Sequence, residues 1–492
     1  MKQIPRPVPH EQLQEFLLST KGGVVFVKGR RRIGKTWLLQ AIATEFKGKI
    51  FRFLCKKHRR DSVFLKEVVQ SWCEFYPRTR LLSIKTNVLT WKMLFDDIGL
   101  YAKKYKAKHG HPFGLIIDEI QWLSTDFEAS AAIIKAAWDE LAIQDSISMI
   151  LCGSSTRFFS EQFGEGSVLR GIQTRAHINV LPFSLGTLRK YVVPHWSIKE
   201  TIMAYMCMGG VPYYWQQIQA SKGFIKAMNQ ACCINSSIML DEWKEILSTE
   251  FRTDAVSSLS QMFPAMVSAE DGITQSELTL MLQINNSVAS RMIDKLINYG
   301  YVLPCFIDEK RTKRGTRFIL IDFYLNFYFT VLHPMEKEIL RNTKSILFPT
   351  SDYIQNFTGK AFERFVFSHI NIHLREHHPN LTLLKKMDLS DLNYETHLNM
   401  LTKNKDNDKT LSQIDIAIIH SKERTIRVLE CKWKKKGDIQ DLHDVINKKV
   451  PSKFSHLIRM NYLVVSYLPN QRMIQEAIKL NVVFLSLEDF NF

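Results

Sequence analysis

Gly29-Arg30-Arg31-Arg32-Ile33-Gly34-Lys35-Thr36 follows the apolar run Val24-Val25-Phe26-Val27 and precedes the amphipathic stretch from Trp37 to Phe46. The octapeptide fits G-x-x-x-x-G-K-[ST], and it lies between a strand and a helix, where that pattern has a physical meaning. The glycines let the chain curl so that successive backbone N–H groups point at phosphate oxygens, and the start of a helix adds its partial positive charge. Gly29, Arg30, Arg31, Arg32, Ile33 and Gly34 are therefore the expected cradle of a nucleotide's phosphates. Lys35 is expected to reach the β and γ phosphates, and Thr36 to ligate Mg²⁺.

Working outward, the metal held by Thr36 needs an acid on its other side. Gly114-Leu115-Ile116-Ile117-Asp118-Glu119 is an apolar run that ends in two carboxylates. Asp118 is expected to hold Mg²⁺ and Glu119 to polarise the attacking water, a pairing suited to ATP hydrolysis rather than nucleotide storage. A third run, Ser148 to Cys152, ends in Gly153-Ser154-Ser155. Ser154 is the candidate contact to the γ-phosphate, with Ser155 beside it. From Gly23 to Ile150 short apolar runs alternate with longer amphipathic stretches, as in an α/β fold whose parallel strands are joined by crossover helices.

The chain has 492 residues, 45% hydrophobic and 23% charged, which excludes a largely disordered, collagen-like or membrane-embedded protein. At roughly 100 to 200 residues per domain it should form two to four domains. Sixty-six Lys plus Arg stand against 49 Asp plus Glu, a net charge of +17, which suits a polyanionic partner such as nucleic acid. Eight cysteines occur without a C-x-x-C pair, so neither a disulfide framework nor a zinc site is expected and a reducing, cytoplasmic location is. Met1 to His10 has no apolar core of the kind a secretory signal needs, and Phe318 to Leu332 is short and interrupted by Asp322 and Asn326, so no membrane partner is expected.

Taken together, the loop at Gly29, the acids Asp118 and Glu119 followed by Ile120-Gln121-Trp122-Leu123, the strand end Cys152-Gly153-Ser154-Ser155, and Gly209-Gly210-Val211-Pro212-Tyr213-Tyr214 resemble the archaeal-type ATPases of the AAA superfamily, relatives of the STAND NTPases. The resemblance implies a P-loop NTPase domain with a helical lid over residues 1–245, with ATP and Mg²⁺ as cofactors and a homo-oligomer among the possible partners. In that family a segment resembling Ser-Pro-Leu-Tyr-Gly-Arg follows the sensor strand. Here Ser167-Val168-Leu169-Arg170-Gly171-Ile172 lacks the arginine after the glycine, which leaves Arg170 or Arg175 to face the γ-phosphate.

Residues 246–335 form a second module. Thr274 or Ser276 caps a helix bearing Leu278, Met281 and Leu282, and Asn285-Asn286-Ser287 turns into a second helix, Val288 to Asn298, with Met292, Ile293, Leu296 and Ile297 on one face. With the basic stretch Lys310 to Arg314 and a strand from Phe318 to Ile321, this pattern predicts a winged helix. Such a module either reads DNA through its second helix or serves as a lid on the ATPase. The aromatic run from Ile319 to Phe329 resembles the segment that follows the winged helix in these ATPases, and its stripe reads as core.

Residues 350–492 form a third module, with a helix from about Thr358 to Leu374, a polar loop at Thr402 to Thr410, and strands Ile414 to Ile419 and Thr425 to Cys431. If the strands pair as a hairpin, Asp415 faces Glu430, and Lys432 falls on the same face. Mg²⁺ is expected between Asp415 and Glu430, with the Cys431 carbonyl as a further ligand, Glu363 completing the shell and Lys432 activating water for attack on a phosphodiester. This D…E-x-K pattern resembles the restriction-endonuclease-like PD-(D/E)XK fold over about Phe357 to Phe492, without the proline before the first acid. The resemblance implies a nuclease-like domain acting on DNA, with Lys434 to Lys436 facing a phosphate backbone. The alternative is an ATP-driven switch that binds DNA or protein and does not cut.

Overall fold

A computed structural model describes residues 4–56, 61–84, 88–124, 126–140, 144–153, 158, 162, 169, 172, 174–250, 253–269, 272–305, 316–341, 348, 351–373, 383, 386–387, 389, 395–403, 411–420, 422–433, 457–466 and 471–490. The chain divides into two compact units, 1–181 and 182–492.

The first unit is built on five strands, β1 (Gly23–Lys28), β2 (Ile50–Leu54), β3 (Phe113–Asp118), β4 (Ile147–Cys152) and β5 (Thr174–Asn179). Their order across the sheet is β2-β3-β4-β1-β5, and every neighbouring pair is parallel. The helices are α1 (Pro7–Leu18), α2 (Lys35–Glu45), α3 (Asp61–Phe75), α4 (Trp91–His109) and α5 (Phe127–Glu140). Strands β3 and β4 are buried along their whole length. That is why their sequences read as unbroken apolar runs rather than as alternations.

An aromatic cluster fills the core beside β2 and β3: the Trp72 ring lies 5.0 Å from Phe51, and Tyr101 lies 4.9 Å from Phe113. The buried indole N–H of Trp72 donates to Asp97 Oδ2 at 2.8 Å, and Thr79 Oγ1 donates to the same oxygen at 2.6 Å, so the cluster strands no polar atom of the tryptophan. Because β4 lies between β1 and β3, the carboxyl ends of those three strands stand side by side. In an open α/β sheet this edge is where ligands bind.

In the second unit, the helix Ile198–Met208 ends at Gly209 (φ 58°), and the backbone then passes so close to Phe183 that a Cβ on Gly210 would stand 2.1 Å from the Phe183 carbonyl oxygen. Further on, β6 (Ile273–Thr274), β7 (Val302–Cys305) and β8 (Arg317–Leu320) form an antiparallel sheet in the order β6-β8-β7. Three helices, Thr253–Ser268, Gln275–Leu282 and Asn286–Asn298, accompany it. Of the two capping candidates, Thr274 is the cap: its hydroxyl accepts from Glu277 N at 3.2 Å while Glu277 Oε2 accepts from Thr274 N at 2.8 Å. The stretch Lys310 to Arg314 lies outside the described residues.

The aromatic stripe is core. Tyr324, Phe327 and Tyr328 are each at most 1% exposed, and Phe323–Phe327 is a short helix that follows β8. No helix among the described residues is long and apolar enough to cross a membrane. All eight cysteines are free thiols.

The last sheet runs β13-β12-β11-β10-β9, formed by β9 (Glu395–Lys403), β10 (Leu411–His420), β11 (Thr425–Lys432), β12 (Ile458–Val465) and β13 (Val482–Leu485). Strands β9 to β11 are antiparallel and β11 to β13 parallel, the latter pair joined across the helix Gln471–Lys479. The helix expected from Thr358 starts earlier, at Asp352, because the Ser351 hydroxyl caps it by accepting from Ile354 N at 3.4 Å. Its α-helical part ends at Ser368. Residues 404–410, the body of the expected polar loop, lie outside the described residues, and residues 402–403 belong to β9.

Candidate functional site

The chain leaves β1 at Lys28, turns through Gly29 to Gly34 and enters α2 at Lys35. A Cβ on Gly29 would stand 2.6 Å from the Val180 carbonyl oxygen, so only glycine permits this approach. Gly34 (φ 93°) and Arg32 (φ 65°) are both left-handed, and the second is unusual for a side-chain-bearing residue. The curl is held from outside by Arg6, whose guanidinium donates to the carbonyls of Ile33 and Leu181, both at 2.5 Å. Lys35 is 4% exposed, and its ammonium sits inside the curl, donating to the carbonyls of Gly29 at 2.8 Å and Arg30 at 2.9 Å. Thr36 follows in the first turn of α2, where the helix's unpaired N–H groups lie.

Asp118 closes β3 and is fully buried. Its Oδ2 accepts from Arg52 Nη2 at 3.0 Å, whereas its Oδ1 is buried and has no hydrogen-bond partner among the described residues. A buried carboxylate oxygen left in that state suits a cation ligand, so Asp118 and Thr36 fit the expected Mg²⁺. Glu119 is left-handed (φ 56°) and starts the short turn Ile120–Trp122. Its Oε2 accepts a very short hydrogen bond from the side-chain amide of Gln121, itself 1% exposed. Burial, and after it the charge of Asp118, pushes the thiols of Cys55 and Cys152 well up, so neither is a reactive thiolate beside the acids. Ser154, Ser155 and Arg170 lie outside the described residues. Arg175, on the edge strand β5, donates to Ser19 Oγ at 2.9 Å.

The structure thus places Lys35 and Thr36 beyond β1 and Asp118 and Glu119 at the end of β3, on the same edge of the sheet. Sequence reading missed Arg52, Gln121 and Arg6. The signal for Arg52 is a lone charge inside Ile50-Phe51-Arg52-Phe53-Leu54, which in a sheet covered on both faces must have a buried partner.

A second cluster lies on the C-terminal sheet. The β10–β11 ladder runs from His420 opposite Thr425 to Ile416 opposite Leu429, and Asp415 and Glu430 follow just beyond its last pair. Asp415 Oδ2 accepts from Cys431 N at 2.8 Å, and Lys432 Nζ donates to Glu430 Oε1 at 2.5 Å. Glu363, on the helix Asp352–Ser368, has its Oε2 3.4 Å from Lys360 Nζ. Burial, and then the charge of Asp415, raises the Glu363 carboxyl to about 7. Burial works to lower the Lys432 ammonium, but Glu430 and Asp415 together raise it above its ordinary value. Among the described residues no group of three or more His, Cys, Asp or Glu is gathered closely enough to hold a metal ion. Lys434 to Lys436 lie outside the described residues.

The five-stranded parallel sheet, with its phosphate loop beyond β1 and paired acids ending β3, is a P-loop NTPase fold. The chain is similar to the Walker-type ATPase PABY2304 of Pyrococcus abyssi, at 16% identity and a TM-score of 0.52 over 67% of this chain and 96% of that one. It also aligns with the Aeropyrum pernix ORC2 protein (14% identity, TM-score 0.41, 70% and 96% covered) and with Cdc6p from Pyrobaculum aerophilum (12%, 0.32, 70% and 97%). No family model and no curated protein matches the sequence.

Proposed function

We propose that the protein is an ATP-binding and ATP-hydrolysing AAA-type ATPase that acts on DNA through a nuclease-like C-terminal module. The observation that carries the ATPase reading is Asp118 Oδ1, a buried carboxylate oxygen without a partner among the described residues, on the same sheet edge as Lys35. In this reading residues 1–245 are the ATPase with its lid, 246–335 a winged helix and 350–492 the nuclease-like module. Helix Asn286–Asn298, with Arg291 and Lys295 exposed, would face the DNA groove. The net charge of +17 supports a nucleic-acid partner. Free thiols and the lack of a membrane span among the described residues fit a cytoplasmic protein, and a homo-oligomer is compatible with the fold.

Lys35 would exchange the carbonyls of Gly29 and Arg30 for the terminal phosphates, a charge-assisted bond that outweighs the two neutral ones. Thr36 and Asp118 would hold Mg²⁺ in the first site, and Asp415 and Glu430 in the second, two carboxylates that Glu363 does not join closely enough to make a set of three. Mg²⁺, when bound, polarises phosphate oxygens and stabilises developing negative charge at either site. Glu119, turned from Gln121 toward the nucleotide, would take the proton of the attacking water. Lys432 would position the water at the C-terminal site. ATP binding to wild type that is lost in Lys35→Ala tests the first site, and Mg²⁺-dependent DNA nicking that vanishes in Lys432→Ala tests the second.

The Lys432–Glu430 pair favours a second reading, because an ammonium on a carboxylate meant for a metal neutralises it. In that reading the C-terminal module binds DNA or protein under control of ATP and does not cut. Wild-type protein that hydrolyses ATP yet nicks no nucleic acid with any divalent metal would establish it.

A further inference from the structure

Arg52 occupies the middle of β2, and β2 pairs with β3 so that Arg52 lies opposite Ile116 and Leu54 opposite Asp118. Arg52 and Asp118 are therefore diagonal neighbours on one face of the sheet, within reach of a long side chain. The guanidinium takes up that position: Nη2 donates to Asp118 Oδ2 at 3.0 Å and Nη1 to Gln40 Oε1 on α2 at 2.7 Å. The Arg52 side chain is 17% exposed and that of Asp118 not at all, so the pair is poorly screened. Held at one oxygen, the carboxylate keeps its orientation and presents Oδ1, which no described residue satisfies. The Cys152 thiol also lies against Asp118, but it brings no charge.

We propose that Arg52 reserves the Asp118 site for a divalent cation that arrives with nucleotide, and excludes the free ion. This rests on the reading of the site as an ATP site. Without nucleotide, the Asp118 carboxylate carries Arg52 on its Oδ2, and the Lys35 ammonium lies in the loop on the same sheet edge. A free dication entering there gains little from an acid already neutralised by a guanidinium and is repelled by both cations. The triphosphate reverses this balance. Its charge engages Lys35, and the metal it carries is already partly neutralised, so the open Oδ1 can complete its shell without dislodging Arg52. Arg52 is thus a positioning residue that sets the order of metal and nucleotide binding.

The test is a titration of the nucleotide-free full chain with Mn²⁺, read by electron paramagnetic resonance, in which the component removed by Asp118→Asn is followed. Wild type should show no such component at millimolar metal. Arg52→Gln, which keeps a hydrogen-bonding group without the charge, should gain one and bind about tenfold tighter or more. Arg52→Lys should behave as wild type. If Arg52→Gln does not fold, Gln40→Glu offers the guanidinium a competing carboxylate and should also expose the metal site, at physiological salt where the added surface charge is screened. An Asp118-dependent Mn²⁺ site of equal affinity in wild type and the folded variant overturns the proposal. No nucleotide is present, so this outcome is separate from ATP binding in wild type and Lys35→Ala, on which the ATPase reading stands or falls.

Discussion

Lys35 is buried on two backbone carbonyls that a phosphate would displace. Its replacement by alanine should therefore weaken ATP binding by about 2 to 4 kcal/mol, the scale of lost charge-assisted hydrogen bonds, measured by calorimetry. Glu119→Gln keeps the shape and removes the base: ATP should still bind, while turnover falls at least ~100-fold. Wild-type turnover in that variant would place the base elsewhere. Glu363 makes a pH-dependent contribution. Its folded-state carboxyl is raised to about 7 by burial and by Asp415, so the native state holds a proton there that the unfolded chain has already lost. The stability from this group is complete below the ordinary glutamate range and lost as pH rises through about 7, amounting to up to about 3 kcal/mol. Thermal denaturation without added metal between pH 5 and 8 should show a slope that Glu363→Gln flattens.

At the scale of elements, the loop beyond β1 and the end of the helix Ile198–Met208 both depend on close backbone approaches. Gly210 accepts from Phe183 N at 2.7 Å, and a Cβ there would stand 2.1 Å from Phe183 O and 2.7 Å from its N. Gly210→Ala should therefore destabilise the protein by about 1–3 kcal/mol or more as backbone is forced apart, seen as a lower denaturation midpoint. The parallel strands were legible in part, and their order across the sheet was not. Apolar runs marked β1, β3 and β4, where burial on both faces demands them, and the edge strand β2, whose run is broken by Arg52. The edge strand β5 was not legible, since Arg175, Ala176 and His177 are exposed along it and leave no periodic signal. Strand β7 is short and holds Pro304, which hides a strand from a propensity reading.

For the whole molecule, the basic excess is uneven. Residues 1–181 hold 28 Lys plus Arg against 17 Asp plus Glu, and residues 182–492 hold 38 against 32. Both units carry a basic excess, so nucleic-acid affinity should fall steeply with salt. The candidate ATP and nuclease residues lie in separate compact units. Asp415→Asn should abolish metal-dependent cleavage and leave ATP hydrolysis intact, and DNA affinity should hold or rise because one negative charge is removed. Loss of ATPase activity in that variant would show that the two sites are not independent.

The sequence alone determined what depends on neighbours along the chain: a strand, a glycine curl and a helix start at Gly29 to Thr36, an acid pair closing an apolar strand at Asp118, and a helix cap at Thr274 or Ser276. It also supplied the spacing that lets Lys432 share a face with Glu430. Strand order and side-chain partnership across the sheet were decided only by tertiary structure. Arg52 and Asp118 are 66 positions apart, Arg6 and Leu181 are 175 apart, and no local pattern encodes either bond. Burial in the folded chain makes these partnerships necessary, because a charge withdrawn from water must find its counterpart wherever the fold brings one within reach.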